Sequence, residues 1–376
     1  MIISIICYGV LSLFCLYILM TVVLIWGWKK MPTFELAEDY PSDVKYSIII
    51  PVRNEAENIL SLLAVINVQA YRNFEVIIVN DHSEDDTVSL VENYEASFPL
   101  QLIHVTKRSS SSPKKAAIQQ AIEISTGSVI ITTDGDCNVG KNWLKSIHHC
   151  YKKHQPVLIS AGVTFQNEKN WFEKIQTIEF MSLIGAGAIS IYFKSPNMCN
   201  GANLIYEKEA YYAVNGFAGS EHLASGDDEF LMHKIVEHFP NRIYFLKTRH
   251  ALVHTQAQPS LKAFINQRKR WASKWNHYTN WRALALAVFI YSFHLANIIS
   301  ILLISLSTTY RWYIFGIFLI KVMIEFIYLH QILAFFGKGK LAKWIPLTQL
   351  LHSFYILLIG ALGQLGGYAW KGRKLK

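Results

Sequence analysis

The stretch Ser128-Val129-Ile130-Ile131-Thr132-Thr133-Asp134-Gly135-Asp136 is a β-branched, apolar run that ends in two carboxylates. Such a short apolar block is typical of a buried central strand in a parallel sheet. Two aspartates this close at the carboxyl end of a strand repel each other unless a cation lies between them. Hard oxygen ligands of this kind suit Mg²⁺ or Mn²⁺ carrying a substrate's phosphates. An isolated Asp-Gly-Asp also fits an ordinary polar turn, so the neighbouring segments decide between a site and a turn.

Strands and helices alternate upstream of this run. Apolar segments predict strands at 46–51, 74–79 and 100–105, and helices follow the first two strands and lead into the central one. Short connections of this kind predict an α/β fold with a parallel sheet and right-handed crossovers. Ligands of such sheets bind outside the carboxyl ends of the strands.

Polar residues stand where the predicted strands end. They are Arg53-Asn54-Glu55 after the first strand, Asp81 after the second, and Asp134 with Asp136 after the central one. We expect these side chains to converge on one crevice. Lys114 and Lys115, at the amino end of a helix on the same side, can place an ammonium group near an anion. For Asp81 alone, a capping turn before a helix is an equally good interpretation.

Part of the chain is apolar enough for lipid. No charged residue occurs from 2 to 28, and Lys29-Lys30 follow at once, which predicts an uncleaved transmembrane anchor with a cytoplasmic carboxyl end. Further apolar segments lie at 283–306, 312–336 and 344–366. The segment 175–193 contains Glu179 and two glycines, and we interpret it as buried or interfacial rather than spanning.

The carboxyl-terminal segments present a topological conflict. With a cytoplasmic enzyme, three crossings place the basic tail at 371–376 outside, against the positive-inside preference. Either one segment, such as 344–366, is re-entrant or lies flat, or the preference fails here. Lys321 and Glu325 stand four residues apart in the middle segment and can pair, which marks a candidate intramembrane site.

The formal charge of +9 arises from 36 basic and 27 acidic residues. Basic residues gather beside the apolar segments, so anionic lipid headgroups and substrate phosphates explain them better than nucleic acid does. Neither an arginine-rich recognition helix nor zinc-ligand spacing is present in the sequence. The five cysteines include no Cys-x-x-Cys pair, which favours a reduced cytoplasmic domain.

The order of these motifs resembles that of the family 2 glycosyltransferases. In this chain it reads Ile-Ile-Ile-Pro-Val-Arg-Asn-Glu at 48–55, Val-Ile-Ile-Val-Asn-Asp-His-Ser at 76–83, Lys-Lys-Ala-Ala-Ile at 114–118 and Thr-Thr-Asp-Gly-Asp at 132–136. Asn-Gly-Ala-Asn-Leu-Ile-Tyr at 200–206, Gly-Phe at 216–217, Gly-Asp-Asp-Glu-Phe-Leu at 226–231 and Gln-Arg-Lys-Arg-Trp at 267–271 resemble the family's acceptor half. The resemblance covers roughly 46–275 and implies a GT-A nucleotide-sugar-binding fold with a Rossmann-like mixed sheet.

The resemblance also implies roles for individual residues. The residue matching Asp81 contacts the base of the UDP-sugar, Asp134 and Asp136 hold the metal diphosphate, and Asp228 is the catalytic base. The other candidate donor-binding residues are Pro51, Arg53, Glu55 and Lys114, and the candidate acceptor- or diphosphate-binding residues are Asn203, Asp227, Gln267, Arg270 and Trp271. The chain departs from the family at Asn80, where an aspartate is common, and at Asp227, where glutamate is commoner.

Sugar transfer requires a stabilised leaving group and a deprotonated acceptor hydroxyl. A divalent cation beside Asp136 supplies the first, and a carboxylate on the opposite face of the sugar supplies the second and inverts the anomeric configuration. Asp228 is the candidate base. A helix that simply opens with acidic residues is the alternative interpretation of Gly226-Asp227-Asp228-Glu229.

Gln267, Arg270 and Trp271 are spaced to share one face of a helix. An amide, a guanidinium and an indole together can bind a diphosphate and stack a sugar ring. The alternative is an amphipathic interface helix, with apolar residues including Trp275 against lipid and Arg268 and Lys269 against headgroups. Both interpretations can hold at once.

The predicted organisation has six parts. They are an anchor at 1–28, a linker at 29–45, the glycosyltransferase domain at 46–257, an interfacial helix at 258–282, a membrane region of two to three spans at 283–370 and a basic tail at 371–376. We expect a multi-pass protein of the cell (inner) membrane with a cytoplasmic catalytic domain.

The expected activity is inverting transfer from a UDP-sugar to a lipid-linked or polysaccharide acceptor. Processive extension and single transfer both stay open. A non-catalytic assembly or transport subunit that retains the fold is the alternative, although the metal pair, base and acceptor motif are all intact. A nucleotidyltransferase would need a glycine-rich loop after the first strand, which this chain lacks.

Overall fold

The structure is a computed structural model that describes residues 2–36, 40–106, 112–221, 223, 225–274, 281–364, 368–370 and 373–375. The chain divides into two compact units. The helical unit comprises 1–30, 169–185 and 258–368, and the globular unit comprises 31–168, 186–257 and 369–376.

The globular unit is built on a seven-stranded sheet with the order β3-β2-β1-β4-β8-β6-β9. Its strands are β1 (Tyr46–Val52), β2 (Phe74–Asn80), β3 (Leu100–His104), β4 (Val129–Thr132), β6 (Leu158–Ala161), β8 (Leu204–Glu207) and β9 (Ile243–Leu246). The pairings among β1 to β4 are parallel, as the βα pattern predicts. Strand β8 runs antiparallel to both β4 and β6, so the sheet is mixed.

A second sheet of three short strands has the order β5-β10-β7. Its strands are β5 (Asn138–Val139), β7 (Val163–Phe165) and β10 (Val253–Thr255). Because β5 begins two residues after Asp136, its pairing with β10 brings two distant parts of the chain to the end of β4. Two further short strands, β11 (Tyr368–Trp370) and β12 (Arg373–Leu375), pair with each other.

Among the described residues, six α-helices lie wholly within the globular unit. They are α2 (Ile59–Asn67), α3 (Thr87–Glu92), α4 (Pro113–Ile124), α5 (Trp143–His154), α7 (Lys208–Ala213) and α8 (Glu229–His238). Helices α4, α7 and α8 pack against one face of the sheet, where Ile77, Ile118 and Ile235 share a buried cluster. At roughly 25 cal/mol per Å² of apolar surface, such burial is the main stabilising contribution to the unit.

Strand β1 runs one residue farther than the sequence predicts, to Val52. Pro51 lies within it, opposite Val79 of β2. The pairing of β1 with β4 ends at Ile49, whose carbonyl accepts a hydrogen bond from the Thr133 N–H. The backbone N–H and C=O groups of residues 49 and 51 point to the same side of β1, toward β4. Because the pairing with β4 ends at Ile49, the N–H that Pro51 lacks is not needed by that strand.

The helical unit contains α1 (Ile2–Lys30), the first part of α6 (Trp171–Tyr192), α9 (Leu261–Ala272), α10 (Trp281–Leu306), α11 (Arg311–Phe335) and α12 (Ile345–Gln364). Within the described ranges, five helical segments are long and apolar enough to cross a membrane: α1, α6, α10, α11 and the segment Gly339–Gly363. By this measure the chain is a membrane protein.

Helix α6 covers the segment interpreted from sequence as buried or interfacial. It is continuous through Glu179, and 61% of its most apolar window is buried within the protein. Its length and hydropathy nevertheless meet the criterion for a span, a possibility the sequence analysis disfavoured because of Glu179 and the glycines. The buried Glu179 pairs with Arg268, so its charge does not interrupt the helix.

Helices α1 and α11 run in the same direction. Tyr8 contacts Tyr310 just before α11, and Trp28 contacts Phe335 at its end. Between them, the Tyr17 hydroxyl donates to Glu325 at 2.6 Å, and Glu325 also accepts from Lys321 at 2.9 Å. The predicted Lys321–Glu325 pair is therefore confirmed, within a larger polar network.

Helix α12 begins beside the middle of the bundle. The Gln349 amide donates to the Val322 carbonyl, and Ser353 contacts His294, both at positions midway along α11 and α10. Near its end, a Cβ on Gly363 would lie 2.8 Å from the Cβ of Ala272, which precedes α10. Helix α12 thus turns back toward the end of the bundle where α10 begins.

Candidate active site

Carboxylates from two distant segments of the globular unit meet at the carboxyl end of β4. The Lys114 ammonium lies 2.7 Å from an Asp134 oxygen and 3.2 Å from an Asp227 oxygen. Lys114 occupies the first turn of α4, which begins at Pro113 and directs its side chain to this end of the sheet. The side chains of Lys114, Asp134 and Asp227 are 18%, 39% and 11% exposed, so the ammonium is shielded while Asp134 faces solvent.

The ion contacts stabilise the charged form of both Lys114 and Asp227. Burial disfavours the charged Lys114, but Asp134 and Asp227 outweigh it and raise the pKa of the ammonium. Burial also works against ionisation of Asp227, and the Lys114 ammonium nevertheless holds the pKa of this carboxyl below its usual range. One cation therefore joins the Asp134 and Asp227 segments electrostatically.

Asp228 follows immediately and is held on both oxygens. One oxygen accepts from the Glu229 N–H at 2.7 Å as the N-cap of α8, and the other accepts from the Gly201 N–H at 3.0 Å. A Cβ on Gly201 would lie 3.0 Å from an Asp227 oxygen, so only glycine allows this close approach. Asp228 therefore does cap α8, as the alternative interpretation predicts. Capping does not prevent a role as base, because a carboxylate has about four acceptor sites and can also accept a proton from a hydroxyl.

Asp134 and Asp136 present oxygen ligands near a common point. One oxygen of each and the Cys137 Sγ lie within 4.8 Å of one another. Asp136 Oδ2 accepts a hydrogen bond from the Thr255 hydroxyl at 3.1 Å. Burial, reinforced by the two aspartates, raises the pKa of the Cys137 thiol. The two carboxylates fit Mg²⁺ or Mn²⁺, and the Lys114 ammonium shows that this position favours positive charge.

The ends of β1 and β2 are braced by Arg53. Its guanidinium donates to the carbonyls of Asp81 and His82 and pairs with Glu84 at 3.0 Å. Arg53 is buried, so its position indicates that it shapes the loop after β2. The Asp81 carboxylate is also buried and contacts His82 Nδ1 at 3.1 Å.

Glu55 lies beneath the metal-ligand turn. A Cβ on Gly135 would lie 2.9 Å from the Glu55 Cγ, so the turn between Asp134 and Asp136 packs directly on this side chain. Glu55 accepts from the Asn58 amide at 2.8 Å and its N–H donates to Thr87. Pro51 is half-buried in β1, two residues before Arg53.

Asn203 is placed differently from the sequence prediction. Its side chain is fully buried, accepts from the Trp143 indole, and donates to the carbonyls of Gly162 and Ala251. The carboxamide therefore offers no exposed atom to an acceptor or a diphosphate. It joins the central sheet to the loop before β10, which is a structural role.

Gln267, Arg270 and Trp271 lie on α9 of the helical unit, which the N-cap Ser260 begins. All three are half-buried. Arg268 does not face lipid headgroups as the interface alternative suggests, because it is buried and paired with Glu179. Trp275, named in the same alternative, lies outside the described residues.

Two residues near the candidate metal ligands were not predicted from the sequence. Thr255 donates to Asp136, and Cys137 lies beside Asp134 and Asp136. The position of Cys137 next to Asp136 was a usable signal. Thr255 gave none, because its contact joins segments 119 residues apart.

Part of the chain matches a known protein family. Residues 47–213 match Glycosyl transferase family 2. Glycosyltransferase AglE of Haloferax volcanii is 34% identical over 184 residues, which are 48% of this chain and 58% of AglE. Hyaluronan synthase of Streptococcus pyogenes is 25% identical over 251 residues, which are 63% of this chain and 58% of that protein. The chain therefore matches little more than half the length of these relatives.

A solved structure extends the likeness in fold to nearly the whole chain. The mannosyltransferase PcManGT of Pyrobaculum calidifontis, in complex with GDP-Man and Mn²⁺, aligns with a TM-score of 0.57 and 16% identity. The alignment covers 96% of this chain and 99% of PcManGT. At this identity the likeness concerns the fold, which is the predicted GT-A fold. Together with the match at 47–213, this likeness in fold makes the chain similar to the glycosyltransferases of family 2.

Proposed function

We propose that the chain is an inverting glycosyltransferase that moves a sugar from a UDP-sugar to a lipid-linked or polysaccharide acceptor. The observation that carries this proposal is the contact of one Lys114 ammonium with both Asp134 and Asp227. It joins the candidate metal ligands to the segment of the candidate base. If 134–136 were only a polar turn and 226–229 only the start of a helix, the two segments would not have to lie close together.

Asp228 accepts the proton of the acceptor hydroxyl in this proposal. The N–H groups of Gly201 and Glu229 fix its orientation, so the carboxylate does not have to be ordered when the acceptor arrives. A positioned general base contributes about a hundred- to ten-thousand-fold in rate. Attack from the side opposite the diphosphate inverts the anomeric carbon.

Asp134 and Asp136 bind the donor's diphosphate through a divalent cation, and Lys114 supplies a further positive charge. Bound Mg²⁺ or Mn²⁺ would stabilise the negative charge that develops on the leaving diphosphate. Asp81, Pro51, Arg53 and Glu55 form the nucleoside side of the donor site, with Arg53 acting mainly through the loop it braces.

The motif at 267–271 carries the candidate acceptor-binding residues. We assign Gln267 and Arg270 to the diphosphate and Trp271 to a sugar ring of the acceptor. Asp227 acts beside Asp228. Asn203 is omitted from the acceptor-binding residues, because its amide donates to the carbonyls of Gly162 and Ala251. Lys29 and Lys30 end α1 and favour a cytoplasmic globular unit at the cell (inner) membrane.

The test uses membranes that contain the full chain, Mn²⁺, and a panel of radiolabelled UDP-sugars together with GDP-mannose. We expect one label to enter lipid or polymer, and EDTA to abolish incorporation. Asp136→Ala and Asp228→Asn should each lower it by at least about a hundredfold. Asp43→Asn is the matched control, because Asp43 pairs with Lys152 on the surface.

Normal incorporation by Asp136→Ala or Asp228→Asn would refute the role of that residue. If the wild-type chain binds nucleotide and folds but incorporates none of the labels, the non-catalytic alternative replaces the proposal. Labelling from GDP-mannose alone would correct the donor and leave the carboxylate roles intact.

A further inference from the structure

A buried arginine lies inside the Gln-Arg-Lys-Arg-Trp motif. The Arg268 side chain is 2% exposed, and its guanidinium hydrogen-bonds to the Glu179 carboxylate of α6. The other Glu179 oxygen accepts from the Tyr355 hydroxyl of α12 at 3.1 Å. Arg268 thus connects α9 to two other helices of the helical unit.

The same guanidinium contacts both neighbours that the motif supplies. It donates to the Gln267 carboxamide oxygen at 2.6 Å, and its central carbon lies 4.2 Å from the centroid of the Trp271 ring. The same carbon lies 4.7 Å from the centroid of the Phe264 ring, so the guanidinium contacts two aromatic rings. Phe180 of α6 packs on Trp271 with ring centroids 5.9 Å apart.

Arg270 of the same motif is engaged differently. It is half-buried, and its guanidinium forms no hydrogen bond or ion pair with any other residue in the described part of the chain. The two arginines of the motif therefore differ in their contacts. Arg268 is committed to the protein, whereas Arg270 keeps its five donors for a ligand.

A buried ion pair is not an efficient way to stabilise a protein. Two apolar or neutral side chains of similar volume often serve as well or better, because the charges need not be desolvated. A lysine could also hold one charge against Glu179, but it has no planar fork to reach Gln267 and stack on Trp271 together. Of the two basic side chains, only arginine can contact Glu179, Gln267 and Trp271 at the same time.

We propose that Arg268 is a positioning residue that sets the Gln267 carboxamide and the Trp271 indole for the acceptor side of the reaction, and that Glu179 holds it there. This inference rests on the proposed roles of Gln267, Arg270 and Trp271. It predicts that loss of Arg268 impairs transfer beyond any effect on folding.

The test compares Arg268→Met, the double variant Arg268→Met/Glu179→Gln, Arg268→Lys and Arg270→Met in membranes. Three quantities are measured: the melting temperature, transfer of the accepted sugar label to membrane acceptors, and hydrolysis of the same nucleotide sugar without transfer. Arg268→Met alone leaves Glu179 buried and unpaired, so it is expected to be unstable. The double variant removes both charges and should recover the wild-type melting temperature.

The double variant separates positioning from stability. We expect its transfer to stay about 10- to 100-fold below wild type while hydrolysis, which depends on the globular unit, changes little. Arg268→Lys should fold and show the same selective loss. Wild-type transfer by either variant would overturn the inference. Arg270→Met reports on the proposed function separately, because full transfer by that variant would remove the motif from catalysis whatever Arg268 does.

Discussion

Replacing Lys114 with methionine tests the electrostatic design of the site. The substitution keeps the apolar stem and removes the ammonium that contacts both Asp134 and Asp227. Since one ammonium reaches both carboxylates, the contacting oxygens lie at most about 6 Å apart, and two such charges repel by at least about 3 kcal/mol at an effective dielectric constant of 20. Asp134 is 39% exposed, so solvent reduces the expected destabilisation to about 1–2 kcal/mol.

The assay is thermal unfolding of purified protein, followed in EDTA and in excess Mn²⁺. In EDTA, a loss of this size lowers the melting temperature of a domain of about 200 residues by about 2–8 °C. A cation bound by Asp134 and Asp136 supplies positive charge next to the position of the missing ammonium, so Mn²⁺ should raise the melting temperature of Lys114→Met more than that of wild type.

Lys152→Met is the matched control, because Lys152 pairs with Asp43 at the same 2.7 Å on the surface. It should melt like wild type with and without Mn²⁺, since exposed pairs contribute little. Two results would refute this reasoning. Lys114→Met could melt at the wild-type temperature in EDTA, or Mn²⁺ could raise the melting temperatures of Lys114→Met and wild type by the same amount.

Three further predictions concern single contacts. Thr255→Val removes the hydroxyl that orients Asp136 and should weaken Mn²⁺ binding, measured by electron paramagnetic resonance with UDP, about tenfold, whereas Thr255→Ser should bind normally; equal affinities would contradict this. Asn203→Ala leaves buried partners unpaired and should destabilise the protein by about 2–4 kcal/mol in denaturant unfolding, with little change in activity per folded molecule; an inactive but fully stable variant would return Asn203 to the binding site. Because α12 turns back toward the start of α10, a reporter fused after the carboxyl terminus should lie on the membrane side where α1 ends at Lys30; a reporter on the opposite side would make α12 a full span.

Local sequence was enough to predict the sheet around β1, β2 and β4. Their β-branched runs are short, buried and followed by polar residues, so strand and strand end are both visible in one segment. The antiparallel β8 was not predicted, because Leu204–Glu207 was assigned only to a motif and its partners β4 and β6 are remote in sequence.

The motifs identified candidate site residues, but they did not show where the side chains of those residues point. The motifs located Asp134, Lys114 and Asp227, but only the fold shows that one ammonium contacts both carboxylates. Asn203 sits in an equally good motif, yet its amide points into the protein.

Partners far apart in the chain decide which charges are buried. Arg268 looked like an exposed interface cation, because Glu179, its partner, lies 89 residues earlier. The Lys321–Glu325 pair could be predicted because it spans one helical turn, whereas the Tyr17 contact with Glu325 spans 308 residues.

The central claim is that Asp134 and Asp136 bind the cation of a donor site that Lys114 and Asp228 complete. An experimental structure of the full chain with Mn²⁺ and UDP, with the metal located by its anomalous signal, tests this most directly. We predict a single strong peak in ligand contact with Asp134 or Asp136 and with the diphosphate, and an Asp228 oxygen on the side opposite the diphosphate. A peak away from both aspartates, or a diphosphate bound elsewhere in the globular unit, would contradict the account.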